Sequence, residues 1–329
     1  MARMDLRARA FAWMTRRQGS VAGLTDDQVI ALQKREMPDS KVTNWIFGTV
    51  PPGVVASDQT IPGPGGEIPV RLYRGPGGPG SRSGPVPLVL YFHGGGFVLG
   101  ALRMGDWMCG NVAAKVGAVV VSVDYRLAPV HPFPAAVEDC YAALAWAAAN
   151  AAELGAEGPI GVMGESAGGN LSAVVALAAR DRGGPAIAHQ ALIYPATDMS
   201  ETGTAVPNAR ASGNPPFVNA EEMEAFHRMY LRADEDAANP LASPMLAPSH
   251  EGLPPALVQV GEHDPLHDDG VRYATALRAA GVPVRLTDYP GMPHGFMNFP
   301  GLCRSAPQAL AELIAEQQAA LAPAGESVR

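Results

Sequence analysis

Ile160-Gly161-Val162-Met163-Gly164-Glu165-Ser166-Ala167-Gly168 is the stretch on which the fold turns. Its first four residues form a short apolar run of strand type, and a helical pattern opens at Ala167. Between the two, Gly164 and Gly168 flank a serine in the pattern G-x-S-x-G. Glycines there permit a strained strand-to-helix turn that lifts the Ser166 hydroxyl above a sheet. The helix that follows turns its free N–H groups and its dipole toward developing negative charge. The five residues alone are a common pattern; the strand before and the helix after make them a functional turn.

Outward from this turn, apolar runs alternate with helical stretches. Residues 86–92 and 118–123 are strand-like upstream, and 188–194, 256–260 and 284–289 downstream. Helical stretches lie at 103–116, 134–152, 167–181, 268–280 and 306–321. Short buried strands separated by helices predict a mostly parallel α/β sheet covered on both faces. Residues 54–61 and 68–73 predict an antiparallel hairpin, and 75–85 a turn-rich loop. Residues 1–50 read as two short amphipathic helices, marked by Leu6, Ala10, Trp13 and Met14, then by Val29 and Leu32. Residues 200–238 interrupt the alternation with a polar loop and a helix over 221–231. The expected division is a core over 51–199 and 239–329, with 1–50 and 200–238 as two parts of a cap.

Two further segments carry chemistry. Tyr91-Phe92-His93-Gly94-Gly95-Gly96-Phe97 follows a strand, and its three glycines let backbone N–H groups approach a ligand with no Cβ in the way. It lacks the lysine and hydroxyl of a phosphate loop and the G-x-G-x-x-G of a dinucleotide site. With the Ala167 N–H, it suits the oxyanion of a tetrahedral acyl intermediate. A serine hydroxyl also needs a base, and the base an orienting acid. His294 and Asp264 each lie in a loop after a strand, at the edge where open α/β sheets place their sites. The order Ser166, Asp264, His294 is that of the α/β hydrolases. His93, His131, His189, His227 and His250 do not fit that order.

Composition excludes several classes. With 24 Lys and Arg against 32 Asp and Glu, the net charge is −8, which disfavours nucleic acid as a partner. Cys109, Cys140 and Cys303 are scattered, lack metal-ligand spacing, and suggest a reducing compartment. No apolar run reaches the roughly 18 residues of a membrane span. Arg3, Asp5, Arg7 and Arg9 break up the first residues, so no secretory leader is expected and the cytoplasm is the default.

These motifs together resemble the bacterial hormone-sensitive-lipase-like esterases of the α/β-hydrolase superfamily. The resemblance runs from about residue 86 to 300. It rests on His93-Gly94-Gly95-Gly96-Phe97, Asp124-Tyr125-Arg126-Leu127-Ala128-Pro129, the segment from Phe133 to Asp139, Gly164 to Gly169, Tyr194-Pro195, Asp264-Pro265-Leu266 and His294-Gly295-Phe296. It implies Ser166 as nucleophile, His294 as base and Asp264 as its orienter. Gly95, Gly96 and Ala167 are implied as oxyanion donors, and His93, Gly94 and Glu165 as supports of the motif. The implied reaction is hydrolysis of short- to medium-chain acyl esters without a cofactor. The implied partner is a small-molecule ester, and a homodimer is compatible with the family. The chain departs from the family at Glu165, where aspartate is usual, at Val130, where an acidic residue is common, and at His267, where arginine is frequent.

Three rivals bear on this reading. An amidase or lactonase would use the same residues on a different leaving group. A non-catalytic ligand receptor on the same scaffold typically loses its histidine, which this sequence keeps. His263 and His267 beside Asp264, Asp268 and Asp269 raise a metal site, but Pro265 between the histidines disfavours a shared helix face. The two later aspartates suit the start of a helix. No metal is expected.

Overall fold

The upstream hairpin forms as β1 (Val55–Gly63) and β2 (Gly66–Arg74), paired antiparallel through all nine positions. Six strands follow: β3 (Leu88–Phe92), β4 (Val119–Val123), β5 (Ile160–Glu165), β6 (Ile187–Ile193), β7 (Ala256–His263) and β8 (Val284–Pro293). The computed structural model describes residues 6, 7, 9, 20–76, 85–200 and 218–322. One eight-stranded sheet runs β1-β2-β4-β3-β5-β6-β7-β8. It is antiparallel up to the β2–β4 pair and parallel thereafter.

Alternation along a buried strand explains the layers. In β3, Leu88, Leu90 and Phe92 face one core with Val137 and Leu144 of helix Ala135–Ala149 and Leu171 and Val174 of helix Ala167–Asp181. Val89 and Tyr91 face the other core, with Met108 and Val112 of helix Asp106–Val116 and Leu310 and Leu313 of helix Ala306–Ala320. All five residues are fully buried, which is why the run reads as continuously apolar rather than alternating. A third cluster packs Val258 and Val260 of β7 under Tyr273 and Leu277 of helix His267–Ala279.

The boundaries differ from the sequence reading for local reasons. β3 begins at Leu88 rather than Val86, because Pro87 has no N–H to give the ladder. Helix Asp26–Gln33 forms around the buried Val29 and opens on a Thr25–Gln28 capping box. Helix Lys41–Phe47, which the pattern does not reveal, is capped by Ser40 and seats Phe47 against Phe299, ring centroids 5.4 Å apart. Most of the first expected helix, around Ala10, Trp13 and Met14, lies outside the described residues. So do most of the 75–85 loop and the polar loop within 200–238.

Candidate active site

Between β5 and helix Ala167–Asp181 the chain turns at Ser166, which holds φ 57° and ψ −118°. An L-residue adopts such a backbone only when its surroundings impose it. The surroundings here are close. A Cβ on Gly164 would stand 2.5 Å from the Phe92 carbonyl oxygen, and one on Gly168 would overlap that oxygen and lie 2.7 Å from the His93 carbonyl. Both glycines of the pattern are therefore required by contact with the end of β3. The Ser166 N–H donates to the Ile193 carbonyl at 2.9 Å, which fixes the turn to β6.

His294, at the end of β8, and Asp264, after β7, meet at this turn. His294 Nε2 lies 2.9 Å from Ser166 Oγ, and Nδ1 lies 2.9 and 3.0 Å from the two oxygens of Asp264. Asp264 Oδ1 also accepts the Leu266 N–H at 2.7 Å, and its side chain is fully buried. Tyr194 packs edge-on against the His294 ring at 4.9 Å. A carboxylate that accepts from Nδ1 leaves Nε2 free to take a proton from the serine hydroxyl.

The glycine loop lies directly on this group. A Cβ on Gly94 would be 3.3 Å from Ser166 Cβ. Gly95 and Gly96 hold φ of 118° and 63°, and the Gly95 carbonyl accepts from the N–H groups of Val98 and Leu99. The N–H groups of Gly95 and Gly96 donate to no acceptor among the described residues. Ala167 opens its helix, so its N–H has no partner within it. Three unengaged backbone donors beside the Ser166 turn could receive a developing oxyanion.

A family profile described as the alpha/beta hydrolase fold matches residues 89–298. The chain belongs to the α/β-hydrolase-fold family. It is 47% identical over 252 residues to the carboxylic ester hydrolase LipN of Mycobacterium tuberculosis, covering 74% of this chain and 65% of LipN. It therefore spans just under two thirds of that relative's length. It is 43% identical over 263 residues to the esterase LipI of the same organism, covering 79% of this chain and 80% of LipI. An α/β hydrolase enzyme from the metagenome of Lake Arreo, Spain, matches in structure with a TM-score of 0.84 at 33% identity, covering 96% and 98% of the two chains. The resemblance to the hormone-sensitive-lipase-like group and the expected fold are both borne out.

In this α/β hydrolase the remaining expected residues stand as follows. His93 is buried, stacks on Tyr125 with centroids 4.3 Å apart, and has Nδ1 2.8 Å from the Gly94 carbonyl. Burial holds its pKa below the usual histidine value. Glu165 Oε1 accepts the Gly94 N–H at 2.9 Å and the Tyr91 hydroxyl at 2.8 Å. Burial pushes its carboxyl up to about 7, against the lowering pull of the donors from Gly94 and Tyr91. His267 is engaged by carboxylates rather than aimed into a cluster, with Nδ1 2.7 Å from Asp268 and Nε2 3.2 Å from Asp288. Among the described residues no group of three or more His, Cys, Asp or Glu could hold a metal ion.

Several contacts escape sequence reasoning. Gln33, on the N-terminal helix, donates from Nε2 to the carbonyls of Val98 at 2.7 Å and Ala128 at 2.8 Å, tying that helix to the glycine loop. The Tyr125 hydroxyl donates to the His93 carbonyl at 2.7 Å. Phe226, on helix Ala220–Tyr230, lies over Gly96, where a Cβ would strike its ring. Of these, Tyr125, inside a quoted motif, and Phe226, at helical spacing in the expected 221–231 helix, carry a sequence signal.

Proposed function

We propose that this chain is a serine carboxylesterase that hydrolyses short- to medium-chain acyl esters through an acyl-serine intermediate. The observation that carries the reading is the hydrogen-bonded relay from Ser166 through His294 to Asp264 beside the unengaged Gly95 and Gly96 N–H groups. Ser166 Oγ attacks the ester carbonyl while His294 Nε2 takes its proton. The carbonyl oxygen becomes an anion among the N–H groups of Gly95, Gly96 and Ala167. Collapse of the intermediate expels the alcohol, which takes the proton from His294. Water then attacks the acyl-serine, giving its proton to His294, and the acid leaves as Ser166 recovers a hydrogen. No cofactor enters the sequence. The names of LipN and LipI support ester over amide as the bond cleaved.

The described parts of the two expected cap segments, residues 20–50 and 218–238, form a cap over the carboxyl edge of the sheet. Supporting this, Ser20 Oγ lies 3.3 Å from Glu222 Oε1, and Tyr230 stacks on Phe97 with centroids 3.8 Å apart. The three cysteines are buried thiols outside any disulfide, in keeping with a reducing, cytoplasmic setting. No helix among the described residues is long and apolar enough to cross a membrane.

A serine-directed phosphonate tests the nucleophile. One adduct per chain is expected on the peptide carrying Ser166, and Ser166→Ala should lose both label and turnover. Labelling that persists in that variant moves the nucleophile elsewhere.

A further inference from the structure

Glu165 is the last residue of β5, next to Ser166, and it stands where the family resemblance leads one to expect aspartate. Its side chain is fully buried, yet no lysine, arginine or histidine is among its hydrogen-bond partners. One oxygen, Oε1, gathers three donors from three elements. These are the Gly94 N–H of the glycine loop, the Tyr91 hydroxyl of β3, and Asn298 Nδ2 at 3.4 Å. Asn298 closes the 3-10 turn Phe296–Asn298 that follows His294. The carboxylate therefore sits at the junction of the proposed oxyanion loop, the nucleophilic turn and the base loop. The other oxygen, Oε2, is buried with no partner.

Resting on the esterase reading above, we infer that Glu165 is a positioning residue for the oxyanion site, holding Gly94 as a carboxylate and releasing it when protonated. Hydrogen bonds to an ionised acceptor are roughly twice as strong as neutral ones. An added proton has two places to go. On Oε2 it removes the charge and so weakens Oε1 as an acceptor. On Oε1 it can be donated to the Tyr91 oxygen 2.8 Å away, which turns that hydrogen bond around and weakens Oε1 as an acceptor for Gly94. Gly94 leads directly into Gly95 and Gly96, so its anchor sets the direction of their N–H groups.

The titratable groups facing this carboxylate do not neutralise it. They are Tyr91 on β3, Cys109 on helix Asp106–Val116, Tyr125 after β4 and Tyr194 after β6. Burial raises all four, so each stays uncharged around neutral pH. The exchange of the Glu165 proton, at about 7, falls within the range over which an esterase is assayed.

The test is log kcat/KM against pH for p-nitrophenyl butyrate hydrolysis by the wild type and Glu165→Gln. In the wild type, Glu165 and the base histidine both bind protons as the pH falls, so the acid limb should be steeper than one proton allows. Glu165→Gln presents a permanently neutral oxygen, so its limb should follow one proton. Its kcat at alkaline pH should be about 10- to 100-fold lower with KM within about twofold, a part of the loss that follows removal of an oxyanion donor. The phosphonate should still label Ser166 in this variant. Loss of labelling in the folded wild type would overturn the esterase reading, whereas labelling with an unchanged acid limb in Glu165→Gln would overturn only this inference. If Glu165→Gln does not fold, Tyr91→Phe decides. Loss of the hydroxyl donor should move the steep part of the limb to higher pH, and an unmoved limb would overturn the inference.

Discussion

Asparagine at position 264 keeps the size of the side chain and removes its charge, and the structure dictates how it must sit. Asp264 Oδ1 accepts the Leu266 N–H at 2.7 Å, while Oδ2 lies 2.9 Å from His294 Nδ1. In Asp264→Asn the carbonyl oxygen must stay with Leu266, because an amide nitrogen has no lone pair to offer an N–H. The NH2 group then takes the place of Oδ2 and donates to Nδ1. The ring proton is forced onto Nε2, facing Ser166 Oγ 2.9 Å away. The base then holds a proton where it should receive one. A serine-protease precedent for this substitution sets the loss in kcat at about 10⁴, equivalent to about 5.5 kcal/mol of barrier. Turnover of p-nitrophenyl butyrate should fall by about that factor, with KM changed by no more than a few-fold. Thermal unfolding should confirm that the fold persists. Near-native kcat in a folded Asp264→Asn would refute the argument and hand the role to another carboxylate, such as Glu262, whose Oε2 accepts the Gly291 N–H at 2.9 Å.

Gly168→Ala drives a Cβ into the Phe92 carbonyl, so it should abolish turnover and cost about 1–3 kcal/mol of stability by overpacking; a variant matching the wild type in Tm and kcat would contradict the close approach. Glu165 is raised from 4.5 to about 7 in the folded state, so its contribution to stability is complete below the lower value and is lost as pH rises through the higher one. The loss amounts to up to about 3 kcal/mol, and the wild type should therefore lose more Tm than Glu165→Gln between about pH 5 and about pH 8, equal losses counting against the burial argument. Across p-nitrophenyl esters, each methylene buried should contribute about 0.8 kcal/mol, roughly fourfold in kcat/KM, up to about butyryl or hexanoyl, with a steep fall beyond roughly ten carbons. Steady gain up to palmitoyl would mark a lipase instead.

Most of what the sequence makes legible lies close together along it. The strand, turn and helix around Ser166 occupy one short stretch, and their periodicity and glycines survive intact in the structure. Asp264 and His294 were legible because a parallel sheet sends every such strand end to the same edge. Glu165 was legible only as a motif position. Its work depends on Gly94, 71 residues away, and on burial that no local pattern encodes. Gln33 reaches carbonyls 65 and 95 residues downstream, and a glutamine ending an amphipathic helix reads as ordinary surface. Helix Lys41–Phe47 was missed because Val42, Thr43, Trp45, Ile46 and Phe47 are indifferent helix formers. Ser40 capping and the seat of Phe47 on Phe299 decide the matter there.

Among the described residues β8 is the outermost strand of the sheet, paired on one side only, and it ends next to His294. Ser166 and the glycine loop sit at the sheet's centre, where β5 and β3 have neighbours on both sides. On the proposed assignment the nucleophile is built into the most durable part of the molecule and its base into the margin. Edge elements open at lower cost than central ones. On that assignment, fraying of one ribbon would disarm the serine while seven strands stand, and activity would be lost before the fold.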